Sequence, residues 1–219
     1  MFFYFSLLPA KRPEVLRGQV RIELEPIYGA YIEEKYPLDH DDAYRRALEL
    51  AAMFFSAQIY GWSFHYDIGE RARGIAEEFE LSPLGEISWG DPGLFVTHAH
   101  FVNNVLSAWM DYRPTEAQRR RLEVWKMGNV RPAQAIGYAI PAAPSETSGW
   151  LSIRKTSLED SARAAVRAML QGSERNRPKE VTGFVSLETF PGYWVDAGRL
   201  ATQARFKVEI KEIIPFAAY

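Results

Sequence analysis

Two stretches of this chain, residues 19–81 and 134–212, run through the same order of predicted elements: strand, helix, strand, strand. In both stretches the strand that follows the helix carries a glycine, Gly61 in the first and Gly183 in the second. This order predicts an α+β fold in which two equivalent helices pack on a largely antiparallel sheet. Internal duplication would explain the repetition, and so would a chance likeness between two ordinary α+β segments.

The helices are the clearest part of the repeated order. Each predicted helix has an acidic first turn behind a capping residue, Asp39 or Ser157. The cap accepts hydrogen bonds from free backbone amides, and the acidic residues oppose the positive end of the helix dipole. Apolar residues then recur at helical spacing. The pattern predicts helices at about residues 39–58 and 157–171, and the first is apolar enough to be covered on more than one side.

Two details disagree with a strict repeat. The separation between the helix alanines Ala43 and Ala162 differs from that between Gly61 and Gly183, which requires a longer loop in the second copy. When Gly61 is aligned with Gly183, the aromatic residues of the first strand and the apolar residues of the second also fall on opposite faces. The residues concerned are Trp62, Phe64 and Tyr66 in the first strand, and Val185 and Leu187 in the second.

Length and composition restrict the class of protein. At 219 residues we expect one globular unit, residues 1–219, with residues 1–133 and 134–219 as two candidate fused halves. The chain has no cysteine, which excludes disulfides and thiolate chemistry. Its net charge of −2, with both signs interspersed, argues against a nucleic-acid partner.

The first ten residues form a dense apolar run before Lys11 and Arg12. The run is too short to span a bilayer, and no basic residues precede it as they would in a signal peptide. Two interpretations remain, a buried strand or the tail of an apolar signal core. No other stretch reaches membrane length, so we predict no transmembrane segment.

The middle of the chain, residues 82–149, is the hardest part to interpret. Residues 94–102 have the pattern of a strand, although residues 101–110 would also fit a helix. Residues 122–127 and 135–140 are predicted as further strands.

His98 and His100 are the best candidates for chemistry. In a strand, residues two apart point to the same face, so the two imidazoles could share a metal ion. A third ligand would be needed, and His40, His65 and Asp91 are all candidates. The simpler alternative is a pair of histidines on the solvent face of a strand.

Trp62, Phe64 and Tyr66 form the second candidate site, because they share one strand face while His65 lies on the other. We expect this aromatic face to be buried as a second core layer. The alternative is an open groove or dimer interface, with Trp89 and Trp109 as further lining residues. The predicted ligand-binding residues are Trp62, Phe64, Tyr66, His98 and His100.

No nucleophile elbow and no phosphate-binding loop occurs in the sequence. Glu78 and Glu80 would share a strand face as paired carboxylates, but a solvated face explains them equally well. We therefore expect a non-catalytic binding or scaffolding module of the bacterial cell envelope, periplasmic or envelope-associated, with no cofactor. In the alternative of an open aromatic face, that face would bind a protein partner or a second copy of the chain. The alternatives are a metal-assisted hydrolase that uses His98 and His100, and a cytoplasmic location.

Overall fold

The computed structural model describes residues 15–26, 36–69, 74–140, 149–173 and 178–215. Within these ranges the chain forms nine strands and three helices, which confirms the predicted α+β class with antiparallel sheets. In chain order they are β1 Leu16–Glu23, α1 His40–Ile59, β2 Trp62–Asp67, β3 Glu78–Pro83, β4 Leu94–Val102, β5 Val105–Tyr112, α2 Glu116–Val124, β6 Arg131–Ala139, α3 Trp150–Ser173, β7 Pro178–Leu187, β8 Gly192–Asp196 and β9 Arg199–Pro215. The apolar run at the N-terminus lies outside the described residues.

The strands form two sheets. The larger sheet has the order β3-β2-β7-β9-β6, and β8 pairs with the beginning of β9. The smaller sheet has the order β1-β5-β4. All strand pairs in both sheets are antiparallel.

Helix α1 lies between the two sheets. It contacts β1, β4 and β5 of the smaller sheet and β7 of the larger sheet. The predicted cap is confirmed, since the Asp39 side chain accepts a hydrogen bond from the Asp42 amide at 2.8 Å. Phe54 and Phe55 are buried, and the Phe55 ring stacks on Tyr112. The expectation that this helix is covered on more than one side is therefore confirmed.

Helix α3 packs on β6 and β9 and begins at Trp150, well before the predicted start at Ser157. Ser157 lies within the helix, and its side chain is buried. Its hydroxyl donates to the Arg154 carbonyl at 3.1 Å and lies 2.5 Å from the Thr202 hydroxyl of β9. Ser157 therefore connects the helix to the sheet, and its predicted role as a cap is wrong.

The middle of the chain forms a hairpin and a short helix. The strand predicted at residues 94–102 is β4, and a turn with positive φ at Asn103 and Asn104 leads into β5, so the helical alternative is wrong. The strand predicted at residues 122–127 is also wrong, because those residues form the end of α2 and the turn after it. Helix α2 begins at a capping box between Thr115 and Gln118. The strand predicted at residues 135–140 corresponds to β6.

The repeated order recurs as β1-α1-β2-β3 and β6-α3-β7-β9, with β8 inserted, but the two copies pack differently. Strand β1 belongs to the smaller sheet, whereas β6 pairs with β9 in the larger one. The two glycines are not equivalent either: Gly61 follows α1 with a φ of +67°, while Gly183 lies within β7. At the spacing that relates Ala43 to Ala162, Trp62 corresponds to Val181. Both of these side chains are buried, so at this spacing the two strands bury the same face. The disagreement over faces arose because Gly61 and Gly183, which are not equivalent, had been aligned.

None of the helices in the described ranges is both long enough and apolar enough to span a membrane.

Candidate functional site

A cleft of about 560 Å³ opens between α1, α3 and the segment that follows β3. Helix α1 contributes Ala52, Met53 and Ala57, α3 contributes Leu151 and Leu158, and the segment after β3 contributes Ile87 and Trp89. Trp62 of β2 also lines the cleft. The lining is mainly apolar, and Trp89 at its rim is 61 % exposed. Cavities of this size and character are typical of small-molecule sites.

The segment after β3 is fastened to the end of α1. Ser56 of α1 accepts a hydrogen bond from the Ile87 amide at 2.8 Å and donates to the Ala52 carbonyl at 2.6 Å. The Leu84 amide donates to the Gly61 carbonyl at 3.1 Å. Gly61 has a positive φ, a conformation that glycine adopts without strain, so the chain can turn directly from α1 into β2. These bonds hold one wall of the cleft in place.

Charged groups lie on the rim of the cleft. Glu49 belongs to α1, Glu86 to the segment after β3, and Lys155 to α3. The Lys155 ammonium lies 3.9 Å from the Glu159 carboxylate. Burial raises the pKa of Glu159, although Lys155 and Arg163 oppose that shift. The cleft therefore combines an apolar interior with a rim that carries both signs of charge.

The predicted aromatic face is buried, as expected. Trp62, Phe64 and Tyr66 are 6 %, 3 % and 5 % exposed, and the Phe64 and Tyr66 rings pack on Phe79. Of the three, Trp62 borders the cleft. The face is thus part of the core, and it leaves no open aromatic patch for a protein partner. A ligand-binding role for these residues stays a prediction.

The two tryptophans predicted to extend this face are separated. Trp89 lines the cleft, whereas Trp109 lies on β5 of the smaller sheet and is 39 % exposed. There Trp109 borders a shallower cavity of about 390 Å³ together with Arg17, Thr97 and His98.

His98 and His100 share one face of β4, as predicted for a strand, and both are exposed. Their ring centroids are 5.6 Å apart. The candidate third ligands lie elsewhere. His40 stacks on Phe101, the neighbour of His100 that faces the other side of the strand, at a centroid distance of 4.0 Å.

The other two candidates are also engaged away from the pair. Asp91 accepts hydrogen bonds from the Gly93 amide at 2.7 Å and from the Tyr112 hydroxyl at 3.3 Å. His65 lies on β2 of the larger sheet. Among the described residues, the structure brings no third imidazole or carboxylate to His98 and His100 to complete a three-residue metal group.

His65 lies opposite the aromatic face, as predicted, and is half-exposed. Its neighbours are carboxylates: the Asp67 oxygen Oδ2 lies 3.8 Å from Nε2, and the Glu180 oxygen Oε1 lies 3.5 Å from Nδ1. This group was not predicted from the sequence: the two-residue spacing in β2 could have placed Asp67 on the face of His65, but Glu180 comes from β7 and depends on strand register.

The chain belongs to the protein family whose model matches residues 6–216. It is similar to an uncharacterized protein of Treponema pallidum (strain Nichols), with 24% identity over 171 residues that cover 78% of this chain and 69% of the relative. No solved structure matches the chain.

Proposed function

We propose that the protein is a non-catalytic binding module of the bacterial cell envelope, and that the cleft between α1 and α3 is its ligand site. The observation that carries this proposal is the cleft itself, about 560 Å³ in volume and lined mainly by apolar side chains. Its ligand would be a small molecule or chain with a substantial apolar part, because burying apolar surface is the interaction that this lining offers.

The polar groups inside the cleft favour binding over catalysis. Ser56 is the hydroxyl nearest the end of α1, and its oxygen already donates to Ala52 and accepts from Ile87. A serine nucleophile needs a hydrogen bond to a general base, and the described residues that line the cleft include no histidine. Ser56 is therefore a structural residue that fixes the cleft wall.

The envelope location rests on the absence of cysteine, the apolar N-terminal run and the abundance of aromatic residues, and it is tested by fractionation of the native cells with an antibody against the chain. Recovery with the cytosolic fraction would contradict it.

Filling the cleft from its rim tests the ligand site. Ser152 lies on the exposed side of α3 at the cleft, so Ser152→Trp should occupy the opening without disturbing the core. Ala168→Trp places the same side chain at an exposed position of α3 outside the cleft and serves as the control. The probe is N-phenyl-1-naphthylamine, whose fluorescence rises in apolar surroundings.

We expect saturable probe binding to the wild type, weakened at least tenfold, or by about 1.4 kcal/mol, in Ser152→Trp and unchanged in Ala168→Trp. Equal binding to both variants, or no saturable binding to the wild type, would contradict the proposal.

The alternative, a metal-assisted hydrolase at His98 and His100, has one supporting observation, the placement of both imidazoles on one exposed face. Metal-dependent hydrolysis that disappears in a His98→Ala, His100→Ala double variant would establish it instead.

A further inference from the structure

The outer face of the larger sheet carries a second group of polar residues, remote from the cleft. His65 and Asp67 are two residues apart on β2, so their side chains share that face. Glu180 of β7 is the direct partner of Asp67 in the strand register. The group therefore spans β2 and β7, two neighbouring strands inside the sheet.

The three side chains are close enough to share one ion. One ligand atom from each residue can be chosen so that all three lie within 4.8 Å of one another. Within the described part of the chain, no other group of three His, Asp or Glu residues meets this distance. Zinc ligands lie about 2.0–2.2 Å from the metal, which places tetrahedral ligand atoms about 3.4 Å apart. The separation of 3.5 Å between His65 Nδ1 and Glu180 Oε1 already matches this value.

Asp67 would complete the set by a side-chain rotation. Its carboxylate now faces the other ring nitrogen, with Oδ2 at 3.8 Å from Nε2 of His65. The Asp67 side chain is 41 % exposed, and it can turn without displacing any core residue. The open side of the face leaves room for water as a fourth ligand.

Carboxylates of three neighbouring strands lie beside His65. Glu78 of β3 is the register partner of Asp67 on its other side, so Glu78, Asp67 and Glu180 form a row across three strands. Like charges placed directly opposite one another destabilise a sheet. Among the described residues, no lysine or arginine forms an ion pair with any carboxylate of this row.

Several carboxylates elsewhere on or beside the two sheets do have basic partners. Arg17 pairs with Asp111, Arg205 with Glu188, and Lys211 with Glu209. A bound cation would give the row across β3, β2 and β7 the compensation that these carboxylates already have.

We propose that His65, Asp67 and Glu180 form a binding site for a divalent first-row transition metal ion. The imidazole nitrogen favours such an ion over Mg²⁺ or Ca²⁺, which prefer oxygen ligands. The bound ion would connect β2 to β7 and so stabilise the contact between the two halves of the sheet.

Zinc titration of the full, untagged chain by isothermal calorimetry tests the proposal. We expect one Zn²⁺ per chain in the wild type and at least tenfold weaker binding in His65→Ala and in Glu180→Gln. The second variant keeps the size of the side chain, so its fold is preserved even if His65→Ala is unstable. The His98→Ala, His100→Ala double variant removes two exposed strand histidines and should bind as the wild type does.

A second readout is thermal unfolding, in which Zn²⁺ should raise the Tm of the wild type and of the double variant, but not that of Glu180→Gln. The proposal is overturned by three results: no Zn²⁺ binding to the wild type, undiminished binding to both His65→Ala and Glu180→Gln, or loss of binding in the double variant alone. None of these measurements depends on the cleft, so they are independent of the proposed function.

Discussion

Replacing Gly137 by alanine should strongly destabilise the fold, because α3 lies directly on β6 at this residue. A Cβ atom at position 137 would lie 2.0 Å from the Ser161 amide nitrogen and 2.4 Å from the Ser157 carbonyl oxygen. Both atoms are backbone, so no side-chain rotation can relieve the clash. Ordinary contact begins at 3.4 Å, and the helix would have to withdraw by about 1.4 Å.

That withdrawal would break the hydrogen bonds that join α3 to β6. The Ser161 hydroxyl donates to the Ala135 carbonyl at 3.0 Å, and the Tyr138 amide donates to the Asp160 carboxylate at 2.9 Å. Each lost bond costs about 0.5–1.5 kcal/mol, and overpacking adds about 1–3 kcal/mol. Together these effects predict a loss of about 2–6 kcal/mol, a large fraction of the roughly 5–15 kcal/mol that stabilises a typical domain.

Gly192→Ala is the matched control. Gly192 also lies in a strand paired with β9, opposite Gln203, and no atom lies within 4 Å of a Cβ built on it. Urea unfolding followed by circular dichroism should show the loss in Gly137→Ala and a change of less than about 1 kcal/mol in Gly192→Ala. Equal stability of the two variants would refute the reasoning, since it would mean that α3 moves away without loss.

Two further predictions concern ionisable side chains. Hydrogen bonds from Arg17, at 2.7 and 2.8 Å, hold the pKa of Asp111 below its ordinary value. The wild type should therefore exceed Asp111→Asn in stability above the ordinary aspartate pKa of about 3.9, and the excess should disappear as the pH falls through the lowered value. Urea unfolding between about pH 7 and pH 2 measures this, and a pH-independent difference would contradict it. The buried Tyr193 hydroxyl has no hydrogen-bond partner among the described residues, and burial raises its pKa, so Tyr193→Phe should be neutral or stabilise the protein by up to about 1–3 kcal/mol. A lower Tm in that variant would show that the hydroxyl has a partner in solution.

Elements defined by local pattern were predicted well. The Asp39 cap and the apolar stripe behind it locate α1, because the cap bonds to a backbone amide only three residues away. The strand pattern of residues 94–102 was likewise sufficient for β4, since side-chain alternation is a local property. In both cases the interactions that define the element lie within the same short segment.

Elements whose side chains bond to distant partners were not predicted. Ser157 has the residue type and spacing of a cap, but its hydroxyl bonds to Thr202 of β9 within the body of α3. Residues 122–127 alternate as a strand would, yet the capping box at Thr115 starts a helix that ends among them. The buried Gln118 of that box also bonds to the Tyr60 and Tyr112 hydroxyls, contacts that no local pattern reveals.

The cleft was only partly foreseeable. Trp62 and Trp89 were both candidate lining residues, and both line it. The contribution of α3 could not be predicted, because Leu151 precedes the expected start of that helix. The cleft also needs the segment after β3 to be held by Ser56, a contact between residues about thirty positions apart.

The register of β7 determines both the core and the polar group around His65. Val181 and Val185 are buried, and they alternate with Glu180 along the strand. A shift of β7 by one residue would turn Glu180 into the core and expose both valines, which is strongly unfavourable. The apolar pattern that buries the valines therefore places Glu180 on the outer face, opposite Asp67. The hydrophobic effect thus brings together the side chains of His65, Asp67 and Glu180, which are of metal-ligating types. The local sequence around each of them, taken alone, predicts only a solvated strand face.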